Sequence, residues 1–157
     1  MFTNTGVAVC EIRKDTREAA MSEQMIEDLI QAARQAAGRA YAPYSKFPVG
    51  TALLGENGRV YTGCNVENAS YGLTVCAERA ALVRAVADGC RRFQAIAIYT
   101  PTPKPTPPCG ACRQTLNEFS PEAQVICACD GTERLRSTVA ELLPAPFGDS
   151  GSESQFR

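Results

Sequence analysis

Histidine is absent from all 157 residues of the chain, and this omission removes whole classes of chemistry. Neither a Ser-His-Asp nor a Cys-His catalytic centre can be assembled. Any metal must be held by thiolates or carboxylates. Any proton moved near neutral pH must pass through a carboxylate of raised pKa or through metal-bound water. Net charge is missing too: 16 Lys+Arg against 17 Asp+Glu give a formal charge of −1. Without a basic excess to hold a polyanion, nucleic acid is not expected as a partner. No apolar run approaches the ~20 residues that cross a bilayer, and the first residues lack the basic-then-apolar pattern of a secretory leader. No membrane association and a cytoplasmic location are therefore expected. There is no internal repeat.

What remains is ordinary globular composition, 45% apolar and 21% charged, in a length that suits one domain with a real core. Eight cysteines would suggest a disulfide framework in a short secreted protein. With nothing to mark secretion they read as reduced thiols, three on a metal and five elsewhere. Cys64, Cys90, Cys127 and Cys129 lie in or beside apolar segments, where free Cys behaves as a small hydrophobe. Cys10 reads as an exposed thiol in a polar stretch.

Residues 1–21 show no clear periodicity and read as an N-terminal extension. From Ser22, a capping residue, Met25, Ile26, Leu29, Ile30, Ala33 and Ala36 recur at helical spacing up to about Gly38. Val49–Leu54 and Arg59–Cys64 read as paired strands around an Asn57-Gly58 turn. Asn65–Val75 reads as loop. An alanine-rich helix is expected over about 76–88, ended by Gly89, and Ala95–Tyr99 as a buried strand. Thr100–Pro108, with five prolines, must be a stiff extended loop. A helix from Cys109 to about Phe119, strands at Gln124–Cys129 and Leu135–Thr138, and a helical turn at Val139–Leu142 complete the order. Residues 149–157 read as a flexible polar tail. The alternation predicts a three-layer α/β/α fold with a mixed sheet of about five strands, spanning residues 22–148.

The chemistry concentrates in Cys76-Ala77-Glu78 and Pro108-Cys109-Gly110-Ala111-Cys112. Zinc prefers four ligands; structural sites close all four with protein, whereas catalytic sites leave one open. Three thiols with an acidic residue beside the first suit the open kind, and the combination is the general signature of zinc-dependent nucleobase deaminases. Both Cys76 and Cys109 are expected in the first turn of a helix, where free N–H groups and the helix dipole favour the thiolate. Cys112, three residues on, shares a helix face with Cys109. Three thiolates leave one net negative charge on a Zn²⁺ site, which weakens its power to acidify bound water. Arg79 or Arg113 can offset this by donating to sulfur, and Arg79, next to Glu78, is favoured. The alternative is a closed structural zinc knot with Cys64, Cys90 or Glu78 as fourth ligand. The intact Cys-x-Glu speaks for catalysis.

Five segments together resemble the small homotetrameric cytidine deaminases, covering roughly residues 22–148 with every motif in order. They are Tyr41-Ala42-Pro43-Tyr44-Ser45-Lys46-Phe47-Pro48-Val49-Gly50, Gly63-Cys64-Asn65-Val66-Glu67-Asn68-Ala69, Cys76-Ala77-Glu78-Arg79, Pro108-Cys109-Gly110-Ala111-Cys112-Arg113-Gln114 and Glu141-Leu142-Leu143-Pro144. The resemblance implies the cytidine-deaminase-like fold and hydrolytic deamination of cytidine and 2′-deoxycytidine to the uracil nucleosides and ammonia, as in pyrimidine salvage. It implies one Zn²⁺ per chain on Cys76, Cys109 and Cys112, with Glu78 as proton shuttle. It implies Asn65 and Glu67 on the ribose 3′-hydroxyl and Phe47 stacked on the pyrimidine. Ala69, Tyr71 and Phe147 would reach the site of a neighbouring subunit, Arg79 would temper the thiolates, and the partners would be a nucleoside substrate and further copies in a homotetramer with shared sites. Pro107 departs from the family, which often has another residue there; a backbone carbonyl at that position faces the leaving amino group, and proline keeps its carbonyl. Glu67 argues against a blasticidin-type deaminase, and the neutral charge against a polynucleotide-editing one. An inert zinc-stabilised interaction domain would have no need of Glu78.

Overall fold

The computed structural model describes residues 21–148; the expected N-terminal extension, apart from Met21, and the polar tail lie outside them. Helix α1 (Glu23–Ala37) starts as the sequence predicts, with the Ser22 hydroxyl accepting from the Met25 N–H at 3.2 Å. Strands β1 (Gly50–Gly55) and β2 (Val60–Cys64) form the first hairpin. A 3₁₀ turn at Tyr71–Leu73 follows, then α2 (Ala77–Ala87), β3 (Phe93–Tyr99), α3 (Gly110–Asn117), β4 (Gln124–Ala128), β5 (Arg134–Thr138) and the single turn α4 (Val139–Leu142).

The five strands lie in the order β2-β1-β3-β4-β5. β3 and β4 are parallel and every other neighbouring pair is antiparallel. The sheet is therefore mixed, as expected, because α2 and α3 each carry the chain between strands of like direction. Alternation along the central strands sorts two cores. Ala52, Leu54, Ala95, Ala97, Tyr99, Ile126 and Ala128 face α1. Leu53, Ile96, Ile98, Val125 and Cys127 face α2 and α3. Strands buried on both faces read as continuous apolar runs, which is why β3 was legible as buried.

Two glycines bring the layers together. A Cβ on Gly50 would stand 1.9 Å from the Ala33 carbonyl oxygen of α1, and one on Gly63 would stand 2.4 Å from the Ala81 nitrogen of α2. No side chain fits at either position, so α1 and α2 press directly on opposite faces of the hairpin.

Several boundaries shift from the sequence expectation. β3 begins two residues earlier than Ala95 because Phe93 pairs with Gly55 across a register shift. α3 stops short of Phe119 because the Phe119 and Ser120 N–H groups both turn back to the Leu116 carbonyl, and Ser120 Oγ accepts from the Phe93 N–H at 2.8 Å. The 65–75 loop is tied down: Val66 bridges both Tyr41 and Val75. α4 carries a full capping box between Thr138 and Glu141.

One polar group is out of place in this core. Thr51 of β1 is 0% exposed, and its hydroxyl finds no partner among the described residues. A buried hydroxyl left unsatisfied costs about 1 kcal/mol or more, whereas an apolar group of the same shape costs nothing comparable. Thr51→Val is accordingly expected to raise the melting temperature by about 3 °C. A lower melting temperature would show that the hydroxyl is satisfied.

Candidate active site

Helices α2 and α3 start side by side at one end of the sheet. Cys76 and Cys109 are their N-cap residues, in extended backbone conformation (ψ 154° and 163°), and not members of the first turn as the sequence suggested. The difference is favourable to the chemistry. An N-cap side chain stands outside the helix, in front of its free N–H groups, where a thiolate is favoured. Cys112 comes from the first turn of α3 and is fully buried. The three sulfurs all lie within 4.8 Å of one another, so a single ion with the usual Zn–S length of about 2.3 Å can touch all three. Soft thiolates on three corners suit zinc, and among the described residues no fourth Cys, Asp or Glu joins the group. Cys64 and Cys90 are not part of this group among the described residues: Cys64, the last residue of β2, pairs with Gly50 of β1, and the Cys90 thiol donates to the Arg92 carbonyl.

Protonation of the thiols follows their surroundings. Burial pushes Cys112 well above the ordinary thiol range, and the charge of Glu78 adds to this. Cys109 is partly desolvated, which alone would raise it. The Cys112 backbone N–H and the thiols of Cys112 and Cys76 outweigh that and lower it. Cys127, buried behind Glu78, is pushed up to about 12 by desolvation and is an inert core thiol.

Glu78, one residue into α2, is 6% exposed and lines the cavity beside the thiols. Desolvation raises its pKa, opposed by its own backbone N–H, the Cys112 thiol and the Arg79 charge. A carboxyl pushed upward is what a proton shuttle near neutral pH requires. Arg79 donates to Cys76 Sγ at 3.7 Å and to the Thr74 carbonyl at 3.0 Å. Arg113, the other candidate, is committed elsewhere, to the Pro108 carbonyl at 2.7 Å and the Leu142 carbonyl at 3.0 Å, stitching α3 to α4.

In front of these groups opens a cavity of about 370 Å³. Phe47, Asn65, Glu67, Cys76, Glu78 and Cys109 all line it, so the fold gathers six of the sequence-predicted residues around one space. Asn65 also builds the wall: its amide accepts from the Val49 N–H at 2.8 Å and donates to the Phe47 carbonyl at 2.9 Å, fixing the Phe47 segment. Glu67 accepts from the Tyr44 N–H at 2.8 Å and from the Ser45 hydroxyl. These hydrogen bonds, that of Ser45 foremost, hold its carboxyl below the usual range.

Three predicted residues stand apart. Ala69 is exposed, Tyr71 is 75% exposed with its ring edge-on to Tyr44, and Phe147 is 89% exposed. None of the three lines the cavity of its own chain. Phe147 is nonetheless held firmly by its backbone: Gln114 of α3 accepts from its N–H at 3.0 Å and donates to its carbonyl at 2.9 Å. Gln114 was quoted in the sequence motif without a role, and only the fold brings residues 114 and 147 together. Thr100 and Thr106, also cavity-lining, gave no signal inside a proline-rich loop.

A parallel-cored α/β/α sandwich whose two helix N-termini converge three thiols and one buried carboxyl on a ligand-sized cavity defines a zinc-binding nucleobase-modifying class. The family described as cytidine and deoxycytidylate deaminase zinc-binding region matches residues 23–129. A cytidine deaminase of Sporosarcina psychrophila is 47% identical over 123 residues, covering 78% of this chain and 90% of that protein. One from Halalkalibacterium halodurans is 49% identical over 128 residues, covering 81% and 95%. The crystal structure of cytidine deaminase from Burkholderia pseudomallei superposes with a TM-score of 0.76 at 46% identity, covering 81% of this chain and all of that one. The chain belongs to the cytidine deaminase family, and its fold is the family's.

Proposed function

We propose that the chain catalyses zinc-dependent hydrolytic deamination of cytidine and 2′-deoxycytidine, giving uridine and 2′-deoxyuridine plus ammonia, as a step of pyrimidine salvage. The observation that carries this reading is the buried Glu78 carboxyl beside three convergent thiols on a cavity of about 370 Å³, a volume that suits a nucleoside. Cys76, Cys109 and Cys112 hold the ion, one per chain. When bound, zinc activates a water molecule for attack at neutral pH.

The chain's own residues manage the protons and the substrate. Glu78 takes a proton from the attacking water and delivers it to N3 of the cytosine, making C4 electrophilic. Water oxygen bonds to C4, and Glu78 carries the second proton to the exocyclic nitrogen. The C4–N bond breaks, ammonia leaves, and the C4 oxo group of uracil remains. Arg79 tempers the charge of the thiolates by its hydrogen bond to Cys76. Phe47 stacks on the pyrimidine. Asn65 keeps an N–H free after binding Phe47, and Glu67, ionised and acceptor-only, has lone pairs left for a sugar hydroxyl. Together they take the ribose 3′-hydroxyl.

Ala69, Tyr71 and Phe147 act on the site of a neighbouring copy in a homotetramer. The support is that the three do not line the cavity of their own chain and that large apolar side chains, Tyr71, Leu73, Val83 and Phe147 among them, are exposed. The near-neutral formal charge favours a free nucleoside over a polynucleotide. None of the described helices is long and apolar enough to cross a membrane, and a cytoplasmic location accords with a diffusing nucleoside substrate. The ultraviolet change on incubating cytidine, and separately deoxycytidine, with zinc-loaded protein tests the reading. Conversion of both is expected; conversion of neither, with zinc confirmed at one per chain, contradicts it.

A further inference from the structure

Among the residues that line the cavity, three carry a polar side chain and are more than nine-tenths buried: Asn65, Glu78 and Thr100, at 8%, 6% and 1% exposure. The first two have places in the reaction above. Thr100 has none, and it is the most deeply buried.

Thr100 opens the segment Thr-Pro-Thr-Pro-Lys-Pro-Thr-Pro-Pro, residues 100–108. Five of these nine residues are proline and lack an N–H, so the loop cannot secure itself by backbone pairing. Its first part is anchored: the Thr100 N–H reaches the Ala128 carbonyl at 3.2 Å, and the Asp130 N–H reaches the Thr102 carbonyl at 3.0 Å. Residues 103–108 donate no backbone hydrogen bond among the described residues. Hydroxyls take over that task. Thr100 Oγ1 donates to Thr106 Oγ1 at 3.2 Å and lies 2.7 Å from Thr102 Oγ1, which donates to the Lys104 carbonyl at 2.7 Å. Thr100 is thus the hub that ties the loose half of the loop to the end of β3.

That half ends in the cavity wall at Pro107, immediately before the Pro108-Cys109 step. Two consecutive prolines present carbonyls and no N–H. The Pro108 carbonyl is taken by Arg113 at 2.7 Å. The Pro107 carbonyl accepts from none of the described residues, and Pro107 lines the cavity. The Pro107 peptide itself offers only an acceptor, and an acceptor recognises a ligand group that donates. The geometry points to Thr100 as a positioning residue: through Thr106 it holds the Pro107 carbonyl toward the ligand, so that the cavity prefers a base bearing an amino group to one bearing an oxo group. This rests on the deaminase reading and adds how substrate is told from product.

The test uses zinc-loaded Glu78→Gln protein, in which turnover is suppressed, titrated calorimetrically with cytidine and with uridine. Adding Thr100→Val is expected to weaken cytidine about tenfold, the loss of roughly one hydrogen bond, while uridine stays within about twofold. Thr106→Val should do the same, and the double variant should be no weaker than either single one, because the two act as one unit. Thr100→Ser, which keeps the hydroxyl, should restore cytidine binding. Equal weakening of both nucleosides, no weakening of either, or fully additive losses would overturn the assignment. Failure of the parent protein to bind either nucleoside would overturn the deaminase reading instead, and the role of Thr100 with it.

Discussion

Glu78→Gln is expected to leave the zinc in place and lower turnover of cytidine by about 10³-fold, since one carboxyl handles successive proton transfers and general acid–base groups contribute roughly 10²–10⁴. Gln keeps the shape and a hydrogen-bonding oxygen but cannot accept and release a proton. The metal ligands are separate side chains, Cys76, Cys109 and Cys112, so metal analysis should still return one zinc per chain. The same variant carries a second signature, in the metal-free protein. Desolvation raises the folded-state pKa of Glu78 above its ordinary 4.5. A raised carboxyl favours the fold fully only below the unfolded pKa, and that contribution is lost as pH rises through the folded value. Gln escapes the loss. Metal-free Glu78→Gln protein should therefore melt higher than metal-free wild type at pH 8, and the gap should close toward pH 4. Near-normal turnover, or a gap that widens in acid, would remove Glu78 from the shuttle role.

Cys112→Ser should have an equally large effect by a different route. Cys112 is fully buried at the start of α3, so neither solvent nor a mobile neighbour can replace its sulfur. Its thiol is pushed upward by burial and by Glu78, and metal binding must release that proton, which makes zinc affinity fall as the pH falls. A buried hydroxyl is a far poorer zinc ligand than a thiolate. Zinc content should drop below a tenth of wild type, and activity with it. Ligand present at about 1,000 times its dissociation constant stabilises a fold by roughly 4 kcal/mol. The as-purified variant should therefore melt about 10 °C below wild type, at about 3 °C per kcal/mol for this size, and close to wild type stripped by a chelator. Full zinc in the variant would mean that another group completes the site.

The parts that were legible in the sequence are those set by local chemistry. Ser22 announced α1, and Asn57-Gly58 marked the first hairpin. Ala95–Tyr99 read as a buried strand, and the spacing of Cys76, Cys109 and Cys112 pointed to the thiol cluster that the fold assembles. The parts that were not legible depend on residues far apart in the chain. Nothing local says that Phe93 pairs with Gly55, that Asn65 clamps Phe47 and Val49, or that Gln114 grips the backbone of Phe147. The N-cap placement of Cys76 and Cys109 shifted by one residue for a similar reason: where each helix begins is fixed by how it docks on the sheet, as at Gly63 against Ala81. Thr100 stayed hidden because alternating Thr and Pro reads as stiff coil, and its hydroxyl matters only once Thr106 folds back onto it.

The most direct measurement is the fate of solvent oxygen. Cytidine incubated with the zinc-loaded protein in H₂¹⁸O should yield uridine carrying one heavy oxygen at C4, with one ammonia released per uridine formed and both products forming about 10³-fold more slowly with Glu78→Gln. Uridine formed without the label, or no uridine at all from fully zinc-loaded protein, would contradict hydrolytic deamination at this site.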